Sequence, residues 1–184
     1  IDRLDVTDHS QIDQLAEKYA TTAIDVLLNN AGISGDTKNQ IFGKMNYDVY
    51  NKVLSVNTIG PLKMAEAFYS HVKASEQKKI ITVSSSEGSI ATADKRGGGR
   101  LFFYRSSKSA LNMVMVNLAL QLKSRGVAVG MVNPGATDTD FMTGLPFPLR
   151  KTEVAVSDMI RNIDSITVEN TGAYLNYNGK TVPW

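Results

Sequence analysis

Three short apolar runs, each cut off by small polar or turn-forming residues, limit what this chain can fold into. They are Ile24 to Leu28 before Asn29-Asn30-Ala31-Gly32, Lys79 to Val83 before Ser84-Ser85-Ser86, and Val127 to Val132 before Asn133-Pro134-Gly135. Short runs that are apolar without alternation are strands covered on both faces, the pattern of a parallel sheet. Parallel neighbours need crossovers long enough to hold a helix. The stretches between the runs have helical periodicity, so the fold class is α/β with a doubly wound parallel sheet.

Asp8-x-x-Gln11 has the spacing of a capping box, and Ile12, Leu15, Ala16 and Tyr19 follow at helical intervals. The preceding IDRLDVTD reads as a strand end running into that helix start. A long helical stretch is expected from about Asn46 to Ser75, kinked at Gly60-Pro61 because proline lacks an amide donor. Further helices are expected up to about Arg125 and from Glu153 to Ile166, with a short strand around Gly172 to Leu175. No repeat or linker interrupts the 184 residues, which read as a single domain over 1–184.

Composition removes several kinds of chemistry. There is no cysteine, and His9 and His71 are the only histidines. That argues against thiol catalysis, a histidine triad and a metal site. Twenty basic and 18 acidic residues leave a net charge of +2, which gives no field for nucleic acid or an anionic membrane. No segment is apolar enough to span a bilayer, and a cytoplasmic location is the default expectation.

In an open α/β sheet, ligands bind outside the carboxyl ends of the strands. The three strand-end clusters place amides, hydroxyls and approachable backbone on that rim. In the next helix, Tyr104, Lys108, Leu111, Met115, Leu118 and Leu122 recur at steps of four and three, on one face. An ammonium on a buried stripe is costly unless it has a role. A phenol acting as acid/base near neutrality needs its pKa lowered by about three units, roughly 4 kcal/mol. A cation about 4 Å away at intermediate dielectric supplies that order of energy. Spacing does not decide the matter, because Tyr69-x-x-x-Lys73 repeats it. Context does: Tyr104 follows a strand, a serine cluster and a glycine-rich loop, whereas Tyr69 stands late in its helix before a polar stretch.

The ordered set of segments resembles short-chain dehydrogenases/reductases from the third strand of that fold onward. The set comprises Asp5-Val6, Asn29-Asn30-Ala31-Gly32, Asn57 in SVNTIGPL, Ser85 in VSSSEG, Tyr104-Arg105-Ser106-Ser107-Lys108, and Asn133-Pro134-Gly135 with Thr139. YRSSKSALN and YNGKTVPW are similar to sniffer-type carbonyl reductases and bacterial C-factor-like proteins. The resemblance implies a Rossmann-type sheet and an oxidoreductase using NADP or NAD, with NADP favoured, on a small carbonyl or alcohol substrate. It implies that Tyr104 exchanges the proton, that Lys108 binds the nicotinamide ribose and lowers the tyrosine's pKa, and that Ser85 bonds the substrate oxygen. Ser85 is preferred to its neighbours because it stands three residues before Gly88. Asn57 would hold a water linking Lys108 to solvent, although it could instead serve the kink. Asp5 and Val6 would meet the adenine, and Asn30, Ala31 and Gly32 would line the cofactor. Pro134, Gly135, Thr137 and Thr139 would lie at its nicotinamide end, although the threonines could instead cap turns.

The chain departs from that pattern in three places. The phosphate-binding glycine motif and the first two strands of the family fold are absent, which leaves the Asp5 segment without a strand neighbour and one edge of the Leu28 strand open. Gly97-Gly98-Gly99 does not replace that motif, since no strand leads into it, and is read as a flexible segment beside the substrate. The expectation is that the chain is part of a longer protein; a shortened, non-catalytic scaffold or signalling module is the alternative. The long stretch between Ser85 and Tyr104 enlarges the loop beside the substrate, and Thr137 stands where an apolar residue is usual. Helices from Asn46 and from Leu101 carry apolar residues beyond their core faces (Val114, Val116 and Leu120 on the latter), so a homodimer or homotetramer is expected.

Overall fold

The structure, a computed structural model, describes residues 1–95, 99–143 and 148–184. The apolar runs form strands β1 (Val26–Asn29), β2 (Lys79–Val83) and β3 (Ala128–Asn133), and Tyr174–Asn176 adds a short β4. All pair in parallel in the order β1-β2-β3-β4, with Leu28 opposite Ile81, Ile81 opposite Gly130, and Val132 opposite Leu175. Each crossover contains a helix. These are α2 (Tyr47–Leu54) and α3 (Gly60–Lys73) between β1 and β2, α4 (Phe102–Lys123) before β3, and α5 (Thr152–Ser165) before β4, while α1 (His9–Lys18) precedes β1.

Both faces of the sheet are covered because the strand residues alternate between two cores. Leu27, Ile80, Val129 and Met131 pack with Ile12 of α1, Phe68 of α3 and Leu111 and Met115 of α4. Ile81, Ala128 and Val132 face the other way, toward Ile166 and the Met159 and Ile163 side chains of α5. The doubly wound α/β sheet is therefore as the strand pattern predicts. No helix among the described residues is long and apolar enough to cross a membrane.

The amino end differs from expectation. Residues 1–5 form no strand, because among the described residues no partner strand stands beside them to take up their backbone hydrogen bonds. Leu4 instead packs against the core, and Asp2 pairs with Lys18 and Tyr19. The free side of β1 is a sheet edge, and Leu28 remains 42% exposed. The capping box forms only in part. Asp8 accepts from the Ser10 and Gln11 amides, but Gln11 Oε1 reaches back to the Asp5 amide at 3.1 Å. The Asp8 amide already donates to the Asp5 carbonyl at 3.0 Å, so it has no need of Gln11.

The long central helix is not simply kinked. Between α2 and α3 the chain makes a wide π turn over Ser55–Ile59, and the Gly60 amide donates to the Ser55 carbonyl, five residues back. Pro61 cannot donate to the Asn57 carbonyl as a regular helix requires, so the ladder widens one residue early.

Candidate active site

Parallel pairing brings the carboxyl ends of β1, β2 and β3 to one rim, with the first turns of α4 facing it. The predicted stripe on α4 is the buried one. Leu111 and Met115 are fully buried, Lys108 is 4% exposed, and Tyr104 is half-buried at the open end.

At the end of β2 the three serines part company. Ser84 turns inward, its hydroxyl donating to Asn112 Oδ1 at 2.6 Å. Ser85 starts a short turn, accepting from the Glu87 amide at 3.2 Å, and its side chain lies near enough to Tyr104 to act on the phenol's pKa. Ser85 and Ser86 are both half-buried, and of the three serines it is Ser85 that acts on Tyr104. The turn is pressed onto α4. A Cβ on Gly88 would lie 2.9 Å from the Lys108 carbonyl carbon, and Ser109 Oγ donates to the Gly88 carbonyl at 2.9 Å. Ser85 and Lys108 are thus fixed to one another through a residue that must lack a side chain.

Lys108 extends between the strand ends. Its Nζ donates to the Val83 carbonyl at 2.9 Å and lies 5.8 Å from the centre of the Tyr104 ring. A Cβ added to Gly32 would be 3.6 Å from that Nζ and 3.5 Å from Asn57 Oδ1, so the turn after β1 lies against both. Asn57 is fully buried. Its Nδ2 donates to the Ile33 carbonyl at 2.8 Å and to Ser107 Oγ at 2.9 Å, and its Oδ1 accepts from the Ile33 amide at 2.9 Å. The Asn57 side chain therefore does not serve the kink. It ties the loop after β1 to α4, one residue from Lys108.

Burial dominates the electrostatics. It pushes the Tyr104 phenol up to about 12, offset in part by the Ser85 hydroxyl, with the Glu87 carboxylate adding to the rise. It pushes the Lys108 ammonium down to about 8. The expected lowering of the tyrosine by the lysine is absent from this arrangement: desolvation is the largest cause at both groups, and Lys108 is not among the groups that shift the Tyr104 phenol. At neutral pH Tyr104 is a neutral phenol and Lys108 is charged.

The comparison pair is indeed elsewhere. Tyr69 and Lys73 lie at the end of α3 that leads into the amino end of β2, away from the rim. The helix end is solvated as expected at Lys73, Glu76 and Gln77, but the Tyr69 hydroxyl is buried with no hydrogen-bond partner among the described residues, and Lys73 and Arg125 lie 5.9 and 5.7 Å from its ring centre.

Other predicted residues line the rim. Asp5, Val6 and Ala31 border a cavity of about 720 Å³ together with Arg3, Leu4, Gln11 and Val56. Hydrogen bonds from the Thr7 amide and hydroxyl hold the Asp5 carboxyl below the usual range. Asn30 is exposed beside Ala31. Gly32 borders a second cavity of about 500 Å³, with Ile33, Val49, Lys52 and Phe141 among its walls. After β3, Gly135 has φ +74°, and a Cβ there would be 2.9 Å from the Tyr177 ring, so only glycine suits the position. Arg150 braces this loop, donating to the Pro134 carbonyl at 2.6 Å, stacking 4.1 Å from the Tyr177 ring centre and pairing with Asp158. The Thr137 hydroxyl bonds the Gly135 carbonyl at 3.2 Å and the exposed Thr139 bonds the Thr137 carbonyl at 3.4 Å, so both satisfy their own turn. Gly97 and Gly98 of the glycine-rich loop, and residues 144–147 of the other substrate-side loop, lie outside the described residues.

Sequence reasoning missed Ser107, Asn112 and Tyr174. Asn112 carried a signal, standing four residues beyond Lys108 on the buried stripe, where an amide needs a partner. Ser107 and Tyr174 reach their partners only through the tertiary fold.

The rim has room and chemistry for the two ends of a nicotinamide dinucleotide. An unpaired Asn29 Nδ2 is buried at the end of β1, and charged Lys108 stands between the strand ends. The glycine-rich turn that would hold a pyrophosphate is not among these residues.

Comparison with known proteins bears on the family and the fold. Residues 2–146 match the profile of the short chain dehydrogenases. C-signal of Myxococcus xanthus is 32% identical, over 92% of this chain and 98% of that protein. The 1-hydroxy-2-glutathionyl-2-methyl-3-butene dehydrogenase of Rhodococcus sp. (strain AD45) is 30% identical over 98% of this chain and 78% of that enzyme. Among solved structures, an NADPH-bound carbonyl reductase from chicken fatty liver superposes with a TM-score of 0.87, at 28% identity, covering 98% of this chain and 75% of that one. The carbonyl reductase Sniffer of D. melanogaster gives 0.87 at 26% identity, covering 100% and 77%.

Proposed function

The chain belongs to the short-chain dehydrogenase family, and from that premise we propose that it is an NAD(P)-dependent carbonyl reductase whose proton donor is Tyr104. The observation that carries the reading is the convergence of Ser85, Tyr104, Lys108 and Asn57 on one rim, fixed by the Gly88 contact with Lys108 and the Asn57 bonds to Ile33 and Ser107. NADPH is the favoured cofactor, since it is the one bound in the chicken carbonyl reductase.

When bound, the nicotinamide supplies the hydride that the substrate's carbonyl carbon accepts. The chain's residues handle the oxygen and its proton. Ser85 Oγ donates a hydrogen bond to the carbonyl oxygen, and Tyr104 Oη transfers its proton to that oxygen as negative charge develops there. The raised pKa of Tyr104 suits this direction, because the phenol holds its proton at neutral pH. Lys108, charged at neutral pH, would bind the ribose hydroxyls and stabilise the phenolate left behind. Asp5 and Val6 border the cavity suited to the adenine, and Thr137 and Thr139 would turn from their own loop carbonyls toward the nicotinamide end.

A non-catalytic scaffold or signalling module of the same fold is a second reading, favoured by the 98% coverage of C-signal. Calorimetric titration with NADPH and NADH separates the two. Saturable binding with NADPH-dependent reduction of para-nitrobenzaldehyde supports the enzyme, and the absence of both supports the scaffold.

A further inference from the structure

Ser85 is held from two directions, and one of the holders comes from the far edge of the sheet. Its carbonyl oxygen accepts from the Gly88 amide at 2.8 Å, which closes the turn. It also accepts from the hydroxyl of Tyr174. Tyr174 opens β4, opposite Met131 of β3, and is fully buried. Its ring lies 5.4 Å from that of Trp184, its carbonyl accepts from the Val182 amide at 2.8 Å, and the Trp184 carbonyl accepts from the Ala91 amide at 2.6 Å. The chain after β4 therefore folds back over the turn that begins at Ser85.

A phenol hydroxyl in a fully buried position costs free energy unless it is hydrogen-bonded, and a phenylalanine would fill the same volume without that cost. The hydroxyl's contribution lies in what it constrains. The Gly88 amide alone leaves the Ser85 peptide free to tilt about one bond, and a second donor on the same oxygen removes that freedom. The side chain of Ser85 is attached to that peptide and faces Tyr104. We infer that Tyr174 is a positioning residue for the reaction, its bond to the Ser85 carbonyl setting the direction in which Ser85 presents its hydroxyl to the substrate oxygen. This inference rests on the reading of Ser85 and Tyr104 as the reacting pair.

The test is a double-mutant cycle on the full chain, with NADPH and para-nitrobenzaldehyde as probes. Tyr174→Phe keeps the ring and its tilted contact with Trp184. It is expected to lower kcat about tenfold with the KM for NADPH unchanged, as for a lost interaction that couples neighbouring groups. In a Ser85→Ala background the same substitution should cost nothing further. Full additivity of the two losses, or an unchanged kcat in Tyr174→Phe, overturns the inference. Turnover retained in Tyr104→Phe would instead overturn the underlying reading. One measurement needs no activity: the Ser85 carbonyl carbon resonance should move upfield in Tyr174→Phe, and an unmoved resonance sinks the proposed contact.

Discussion

At the scale of single residues, the site is governed by desolvation. Tyr104 and Lys108 share a buried stripe, and each is driven toward its neutral form, to about 12 and about 8 respectively. Stability should follow pH accordingly. Below about 8, Lys108 is charged in folded and unfolded chains alike, and its burial weakens the folded state. Between about 8 and 10.5 the folded chain has released a proton that the unfolded chain keeps, so stability rises with pH. From 10 toward about 12, Tyr104 retains in the folded chain a proton that the unfolded chain gives up, so stability falls. Lys108→Met should flatten the first limb and add about 2 kcal/mol at neutral pH, after allowing for the hydrogen bond lost at Val83. Urea unfolding across this range checks it, and a slope that persists in the variant contradicts the assignment. The spacing of Tyr104 and Lys108 was legible from sequence, and so was their buried face. The direction of the tyrosine shift was not, because spacing reports proximity and is silent about how much water the finished fold excludes.

At the scale of elements, the segment from α2 through the π turn to α3 does the most to build the site. Proline at position 61 made an irregularity certain, but its form depended on where the widened turn could place its side chains. It points Asn57 across to Ile33 and Ser107, joining the loop after β1 to α4. Asn57→Ala would strip both the Ile33 amide and carbonyl of that partner, and a loss of about 2–3 kcal/mol is expected. Amide exchange at Ile33 should accelerate by more than at β2, and protection that stays equal would show that Asn57 is not the tie. The strands were read to within two residues because a short apolar run closed by turn formers leaves little latitude. The amino-terminal strand was misread because a strand exists only beside a partner, and local sequence does not reveal whether one is present.

At the scale of the whole molecule, the outward faces suggest association. Val114 and Val116, taken from the sequence as outward-facing, are partly buried against the core. Met113 and Leu120 are the most exposed apolar residues of α4, 62% and 71% accessible and seven residues apart on one face. In the proposed homo-oligomer they would form the centre of a self-complementary helix contact. Sedimentation should report a dimer or tetramer that Leu120→Glu shifts toward monomer. A wild-type chain that is monomeric at every concentration would remove this proposal without touching the site.

The claim on which the rest depends is that Tyr104 passes the proton. Steady-state reduction of para-nitrobenzaldehyde by NADPH, compared between the wild-type chain and Tyr104→Phe, tests it most directly. The phenylalanine variant should bind NADPH as the wild type does and lose at least about a hundredfold in kcat, the contribution typical of a positioned general acid. Turnover within a fewfold of the wild type would contradict the assignment of Tyr104.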